Sequence, residues 1–401
     1  MSPELVGIMG IVLLLLLFAF RMSIGLAMLM VGFLGYIYIV GTQAGLSKLG
    51  VDPFATASFY SLSVIPLFVL MGMFLSYAGL GRDLYKAVDA WMGHLTGGLA
   101  LATIGACAAF SAVSGSTTAT AATMGTVALP EMKRYKYKDS LATACVAAGG
   151  TLGILIPPSV ILILYGILTE ERIGHLLIAG ILPGILQALL FMVTIYGLVK
   201  RNPSLAPLRP KAALKEKLNS LRKVWPVLMI FIIAIGGIYF GVFTPTEAGG
   251  VGAFGAFIIS LAMRRSSRKT LVSSLDHAAR TTAMIFLIVI GATVFAHFLA
   301  VTKIPFGLSD FIAGMGISRY LVMALILFLL LILGTFMEGI AILVLTMPIL
   351  YPLVIDLGFD GIWFGVIMIV MLNIGLVTPP VGVNVYVTAG VAKDVPLTTI
   401  F

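Results

Sequence analysis

Gly149-Gly150-Thr151-Leu152-Gly153-Ile154-Leu155-Ile156-Pro157-Pro158 begins as a membrane helix and cannot finish as one. Proline removes a backbone donor and disfavours helix at the residue before it. The tandem prolines therefore break the span of about 140–169. A second break, Thr378-Pro379-Pro380, interrupts the span 362–391. Carbonyls freed at bilayer depth are tolerated only where the backbone is buried in protein or lines a wet cavity. The two breaks are also in register. A gapless offset of 222 residues lays Pro157-Pro158 on Pro379-Pro380, Gly153 on Gly375, Tyr137 on Phe359 and Pro130 on Pro352. The chain thus reads as two copies of one unit.

The same offset lays Ser114–Thr117 on Phe336–Gly339. Each of these stretches interrupts an apolar segment, 98–132 in the first copy and 318–352 in the second. A crossing helix needs about 20 apolar residues, and each half is shorter than that. Each segment is predicted to be a helical hairpin that enters and leaves on one side. Around the hairpins, hydropathy marks spans at 4–20, 24–41, 59–79, 177–199, 224–243, 246–263 and 277–300. The stretch GRDLYKAVDAWMGHL (81–95) mixes charge and apolar residues at helical spacing, as an interfacial amphipathic helix does. Residues 303–316 are expected to form a second one. The organisation expected is N-terminal scaffold helices over 1–58 and a first repeat over 59–199. A basic cytoplasmic loop (200–223), further scaffold helices (224–263) and a second repeat (264–401) follow.

Charge orients the copies. The loop after the first hairpin carries Lys133, Arg134, Lys136 and Lys138, whereas its counterpart, 352–360, carries Asp356 and Asp360 and no Lys or Arg. By the positive-inside rule the first is cytoplasmic and the second is not, so the copies are inverted. The first apolar run, Leu5 to Phe20, has no basic residue before it and ends at Arg21. That is the reverse of a signal peptide and predicts a retained helix with its N-terminus outside. Of the 25 Lys and Arg residues, only Lys48, Arg172, Lys303 and Arg319 then fall outside.

Composition excludes the soluble classes. The chain is 60% hydrophobic and 10% charged, with a net charge of +9, where a soluble domain carries about a quarter charged residues. The basic residues lie in short loops between apolar spans, so topology explains them better than nucleic acid does. Cys107 and Cys145 sit among small apolar residues and read as packing thiols, not as a disulfide or metal pair. There is no phosphate-cradling GxxxxGK, no HExxH and no GxSxG, which argues against an ATPase, a metalloprotease or a lipase. The expected fold is an all-α polytopic membrane protein of two inverted repeats, each with a re-entrant hairpin and a broken helix. Inverted repeats with broken helices near the midplane mark secondary transporters, not enzymes.

The breaks and tips are the candidate site. Ser114, Ser116, Thr117 and Thr118 offer hydroxyls, and the first break offers freed carbonyls. Neutral oxygens of this kind suit a hard monovalent cation such as sodium. Half-helix N-termini at the same place present amides to an anion. Thr120, Thr123 and Thr126, further along the helix, read as packing. The second tip supplies Gly334, Thr335 and Glu338, the acid being either a ligand or a helix cap. Its broken helix supplies Asn373, Gly375, Val377, Thr378 and, past the prolines, Asn384. Candidate substrate contacts are Ser116, Thr117, Thr151, Glu338, Asn373 and Asn384. Thr244-Pro245-Thr246-Glu247 reads as a structural capping box. His297 reads as an interhelical hydrogen-bonding residue.

Four ordered motifs, SGSTTATAATMGTVALPEM (114–132), AAGGTLGILIPPS (147–159), FTPTEAGGVG (243–252) and GLVTPPVGVNVYV (375–387), resemble the large permease subunit of tripartite ATP-independent periplasmic (TRAP) transporters. The resemblance runs almost end to end. It implies sodium-driven uptake of an organic acid by an elevator motion in a bacterial inner membrane. It also implies a periplasmic binding protein that delivers substrate and a separate small four-helix membrane subunit that braces the scaffold. Two or more sodium ions would bind, with no organic cofactor and no transition metal. One ion would use Ser114, Ser116, Gly153, Leu155 and Pro158, the other Gly334, Thr335, Gly375, Val377 and Thr378. Scaffold spans 4–41 and 224–263 would meet the partner through apolar packing and small residues such as Gly249, Gly250 and Gly252. The second tip departs from the family in carrying Glu338 where an aspartate is usual. The helix expected to follow the second broken helix is not among the 401 residues. A stand-alone sodium–dicarboxylate symporter is the nearest alternative, and a channel or scaffold subunit a further one.

Overall fold

The computed structural model describes residues 1–305, 307 and 316–401, and every regular element among them is helical. Most of the expected second amphipathic segment, 303–316, lies outside the described residues. The chain opens with α1 (Pro3–Ala19), α2 (Ile24–Val40) and α3 (Thr42–Ala57). A short 3-10 turn leads into α4 (Val64–Tyr77), and α5 (Leu80–Met92) follows as an arm. On α5, Leu80, Leu84 and Ala87 are buried while Arg82 and Lys86 are exposed.

The first hairpin is α6 (Gly98–Ser114) and α7 (Thr117–Arg134). The first broken helix is α8 (Asp139–Thr151), a 3-10 turn and α9 (Val160–Thr169). Then come α10 (Ile173–Arg201), α11 (Leu214–Tyr239), α12 (Pro245–Ala262) and α13 (Arg268–Thr302). The second hairpin is α14 (Arg319–Phe336) and α15 (Gly339–Asp356). The second broken helix is α16 (Gly361–Gly375) and α17 (Val383–Val391), and α18 (Leu397–Ile400) closes the chain. Both Pro-Pro bonds at the breaks are cis.

Contacts show that the repeats are inverted. Tyr137, just after the first hairpin, accepts a hydrogen bond on its hydroxyl from Leu99 N (3.2 Å), at that hairpin's start. Its mate Phe359 packs edge-on against Tyr320, at the start of the second hairpin (6.0 Å). Each hairpin therefore opens at one end of the molecule. The ends are opposite: Lys133 pairs with Asp394 beyond α17 (3.0 Å), while Tyr351 donates to Glu171 beyond α9 (2.8 Å). Tyr165 of α9 donates to Gly361 O at the start of α16 (2.6 Å).

Several helices outrun their apolar stretches. α11 starts at Leu214, inside the basic segment 200–223, and α13 runs from Arg268 to Thr302. Hydropathy marks the part of a helix that lies in lipid and not the turns that continue into water. Hydropathy does not mark the helix α3, which carries Gln43, Lys48 and Asp52 together with Gly45, Gly50 and Pro53. It packs against α2 and α13 and brings Asp52 to His297 Nδ1 (2.8 Å), the interhelical bond expected of that histidine. The capping box at Thr244 and Glu247 is formed.

Small residues set the closest helix contacts, as lipid-embedded packing favours. A Cβ on Gly32 of α2 would lie 2.7 Å from the Phe295 backbone of α13. Gly249 and Gly252 correct an expectation: they do not face outward to a partner but pack on Leu67 and Met71 of α4. Only Gly250 of the three faces open space. Seven of the described helices are long and apolar enough to cross a membrane by length and composition. Two of those are α14 and α15, whose shared tip lodges inside the protein and so makes a re-entrant pair.

Candidate functional site

Each hairpin tip sits in the break of its own repeat's broken helix. At the first tip, Gly115 turns the chain with φ +60°, and Ser116 becomes the N-cap of α7. Its hydroxyl accepts from Ala119 N (3.4 Å). A Cβ on Gly153 would collide with the Ser116 carbonyl oxygen, and one on Gly115 would lie 2.5 Å from the Pro158 oxygen. The structure thus brings Ser114, Ser116, Gly153 and Pro158 together. The oxygen of Leu155 lies beside Gly180 of α10 instead. Thr120, read from sequence as packing, belongs to the cluster: fully buried, it bonds Ser114 Oγ (2.7 Å) and donates to Ser116 O (2.8 Å). Ser116 Oγ meets Thr118 Oγ1 (3.2 Å). Thr123 packs on Gly81, and Thr126 bonds Thr123 O inside its own helix.

The second tip is built on a glycine pair. A Cβ on Gly375 would lie 2.5 Å from the Gly334 backbone. Thr335 O accepts from Gly382 N (3.4 Å), and the Thr378 oxygen lies beside the same glycine. Thr378 donates its hydroxyl to Ile374 O (2.6 Å), and Val377 N reaches that oxygen too (3.3 Å). Gly334, Thr335, Gly375, Val377 and Thr378 therefore form one neighbourhood. Glu338 is the N-cap residue of α15, with its backbone oxygen taking Ile342 N (3.2 Å). No side-chain capping bond of ordinary geometry forms.

The tips face one cavity of about 550 Å³. Ser114, Ser116, Thr117 and Glu338 line it from the hairpins, and Ser76 of α4 and Thr281 of α13 from the opposite wall. Hydropathy alone passes over Ser76 and Thr281, although a hydroxyl in an apolar span is a signal. A Cβ on Gly72 would touch Val113 O (2.7 Å), so α4 approaches the first hairpin at backbone distance.

Three of the expected substrate contacts, Thr151, Asn373 and Asn384, lie behind the tips and not on this cavity. Thr151 and Asn373 are mates under the 222-residue offset, and Gln187 of α10 joins them. Asn373 donates to Gln187 Oε1 (3.3 Å), Gln187 donates to Thr151 Oγ1 (3.1 Å), and Thr151 donates to Ala148 O (2.7 Å). Asn384 donates to Ala147 O (3.3 Å), tying α17 to α8. Among the described residues the carboxamide oxygens of both asparagines are buried without a hydrogen-bond partner. Gln187 was missed from sequence, yet it is a carboxamide inside a 29-residue apolar helix, the kind of position that intramembrane polarity flags.

Comparison with known proteins bears on this arrangement. Residues 11–401 match the family described as "Tripartite ATP-independent periplasmic transporter, DctM component". The C4-dicarboxylate TRAP transporter large permease protein DctM of Pseudomonas aeruginosa is 40% identical over 86% of this chain and 80% of its own length. The sialic acid TRAP transporter large permease protein SiaM of Vibrio cholerae is 35% identical over 85% and 79%. The isethionate TRAP transporter permease protein DctMQ of Oleidesulfovibrio alaskensis is 38% identical over 85% of this chain and 54% of its own length. Among solved structures, the Alcanivorax borkumensis YdaH transporter superposes with a TM-score of 0.62 at 13% identity, covering 90% of this chain and 84% of that one. That likeness concerns the fold alone.

Proposed function

The chain belongs to the family of the DctM component of tripartite ATP-independent periplasmic transporters, and we propose that it is a sodium-coupled permease that imports an organic acid. The observation that carries this reading is the pair of hairpin tips, each lodged in a broken helix and both open to one cavity. The first tip gathers hydroxyls of Ser114, Ser116 and Thr120 with the oxygens of Ser116 and Pro158. The second gathers the oxygens of Thr335 and Thr378 around Gly382. Neutral oxygens hold a sodium ion without the charge that would repel an anion. Sodium in both neighbourhoods lowers the cost of bringing a carboxylate between them. The amides that open α7 and α15 face the same cavity and favour that carboxylate.

The cavity lies between the hairpin tips and α4 and α13, which fits a hairpin unit that slides along a fixed scaffold. Substrate would come from a periplasmic binding protein, and a small four-helix membrane subunit would brace the scaffold in the inner membrane. The identity of the acid is a matter for uptake assays: the relatives' names include C4-dicarboxylate, sialic acid and isethionate. In reconstituted complex, Ser116→Ala and Thr378→Ala are expected to raise the sodium concentration for half-maximal uptake several-fold. Unchanged sodium dependence in both variants, at normal expression, would show that these residues only pack.

A further inference from the structure

A second cavity, of about 870 Å³, lies at the end of the molecule that carries Lys133 and Arg265. Arg82 and Lys86 of α5, Lys211 of the 202–213 loop and Lys223 of α11 line it. The acids around it are largely spent. Asp83 pairs with Arg265, Asp89 with Arg209 (2.7 Å) and Glu131 with Arg134 (3.9 Å). Among the described residues none of the four named cations has a carboxylate partner in an ion pair, which leaves Glu216 as the one lining acid outside such a pair. His94 Nδ1 on the same wall is buried and, among the described residues, lacks a hydrogen-bond partner. The loop is fixed in place: Arg209 also stacks on Tyr135 (3.9 Å), and Leu205 O accepts from Lys138 N (3.0 Å). The surplus of positive charge and the unpartnered His94 are what an anion would satisfy.

The kind of anion follows from the neighbouring surface. Another face of the α5–α11 pair holds an apolar groove of about 380 Å³, lined by Leu84, Val88, Trp91, Leu221, Val224 and Leu228. Trp91 is 42% exposed, with the Lys217 ammonium 5.4 Å from its ring, the arrangement of an aromatic residue and a snorkelling lysine at a bilayer interface. Basic pockets between membrane helices on the cytoplasmic side recognise anionic headgroups. We propose that the cleft between α5, the 202–213 loop and α11 binds an anionic phospholipid, its phosphate among Arg82, Lys86 and Lys223 and an acyl chain against the Trp91 groove. This ties the arm α5, which precedes the first hairpin, to the helix α11 through a lipid.

Native mass spectrometry of the full chain tests it, with phosphatidylglycerol as probe and phosphatidylcholine as its zwitterionic control. Phosphatidylglycerol is expected to bind at least tenfold more tightly. The double variant Lys86→Gln, Lys223→Gln should weaken it at least fivefold, and Trp91→Ala should weaken it with the charges intact. Arg201→Gln, on a basic residue outside the cavity, should leave binding unchanged. Thermal unfolding in phosphatidylcholine alone checks that the variants fold, and Arg82→Gln replaces the double variant if that one does not. Equal retention of phosphatidylcholine, or no effect of the cavity variants, would overturn the proposal. Displacement of phosphatidylglycerol by an equal concentration of inorganic phosphate would also overturn it, because the site would then hold a soluble anion.

Discussion

At the scale of single residues, Gln187 decides how the two half-sites are joined. It accepts from Asn373 and donates to Thr151, and the direction of each bond is fixed because Thr151 donates onward to Ala148 O. Gln187→Leu keeps the volume and removes both bonds, leaving the buried Asn373 amide without its acceptor. An orphaned buried donor costs about 1–3 kcal/mol, although interhelical bonds in membrane proteins average roughly 0.6 kcal/mol. A fall in thermal stability of the detergent-solubilised chain is expected, within that span. An unchanged unfolding curve would show that the bridge holds nothing. Ser114, Ser116 and the glycines at the breaks were legible in the sequence because they interrupt apolar runs. Gln187 carries a local signal, a carboxamide in an apolar helix, but its partners are 36 and 186 residues away and nothing local to α10 announces them. Thr120 is buried, as the packing reading expects, and it also bonds the tip. Its helical position argues for packing, and only the turn at Gly115 folds Ser114 back onto it.

At the scale of elements, the hairpin-in-break contact depends on missing side chains. Gly153 faces the Ser116 carbonyl and Gly375 the Gly334 backbone, neither of which can move aside as a flexible side chain would. Gly153→Ala and Gly375→Ala should each cost about 1–3 kcal/mol through overpacking and should abolish uptake. Gly197→Ala, in a helix with nothing within 4 Å of the added carbon, should be neutral or slightly stabilising. Wild-type uptake by both tip variants would mean that the tips are not seated as described. The repeats were visible in sequence because prolines and glycines mark a break wherever the surrounding composition is apolar. The helix α3 and the aqueous turns of α11 and α13 were not, because hydropathy reports contact with lipid and not helicity. Gly249 and Gly252 show a related limit: a small residue signals a close neighbour without saying whether it belongs to the same chain.

At the scale of the whole molecule, the inverted halves place opposite ends of equivalent elements side by side. Lys133 and Asp394 meet at one end, Glu171 and Tyr351 at the other. A unit so built can present the same central cavity to either side if it shifts against α4 and α13. The proposed partners would brace the scaffold that holds α4 and α13 and would deliver bound substrate. The most direct measurement is uptake into proteoliposomes under an inward sodium gradient. The chain alone should take up little or no free organic acid, and uptake should appear when the small membrane subunit and a loaded binding protein are added. It should collapse when the sodium gradient is dissipated. Robust uptake of free substrate by the isolated chain, or uptake by the full assembly indifferent to sodium, would contradict this account.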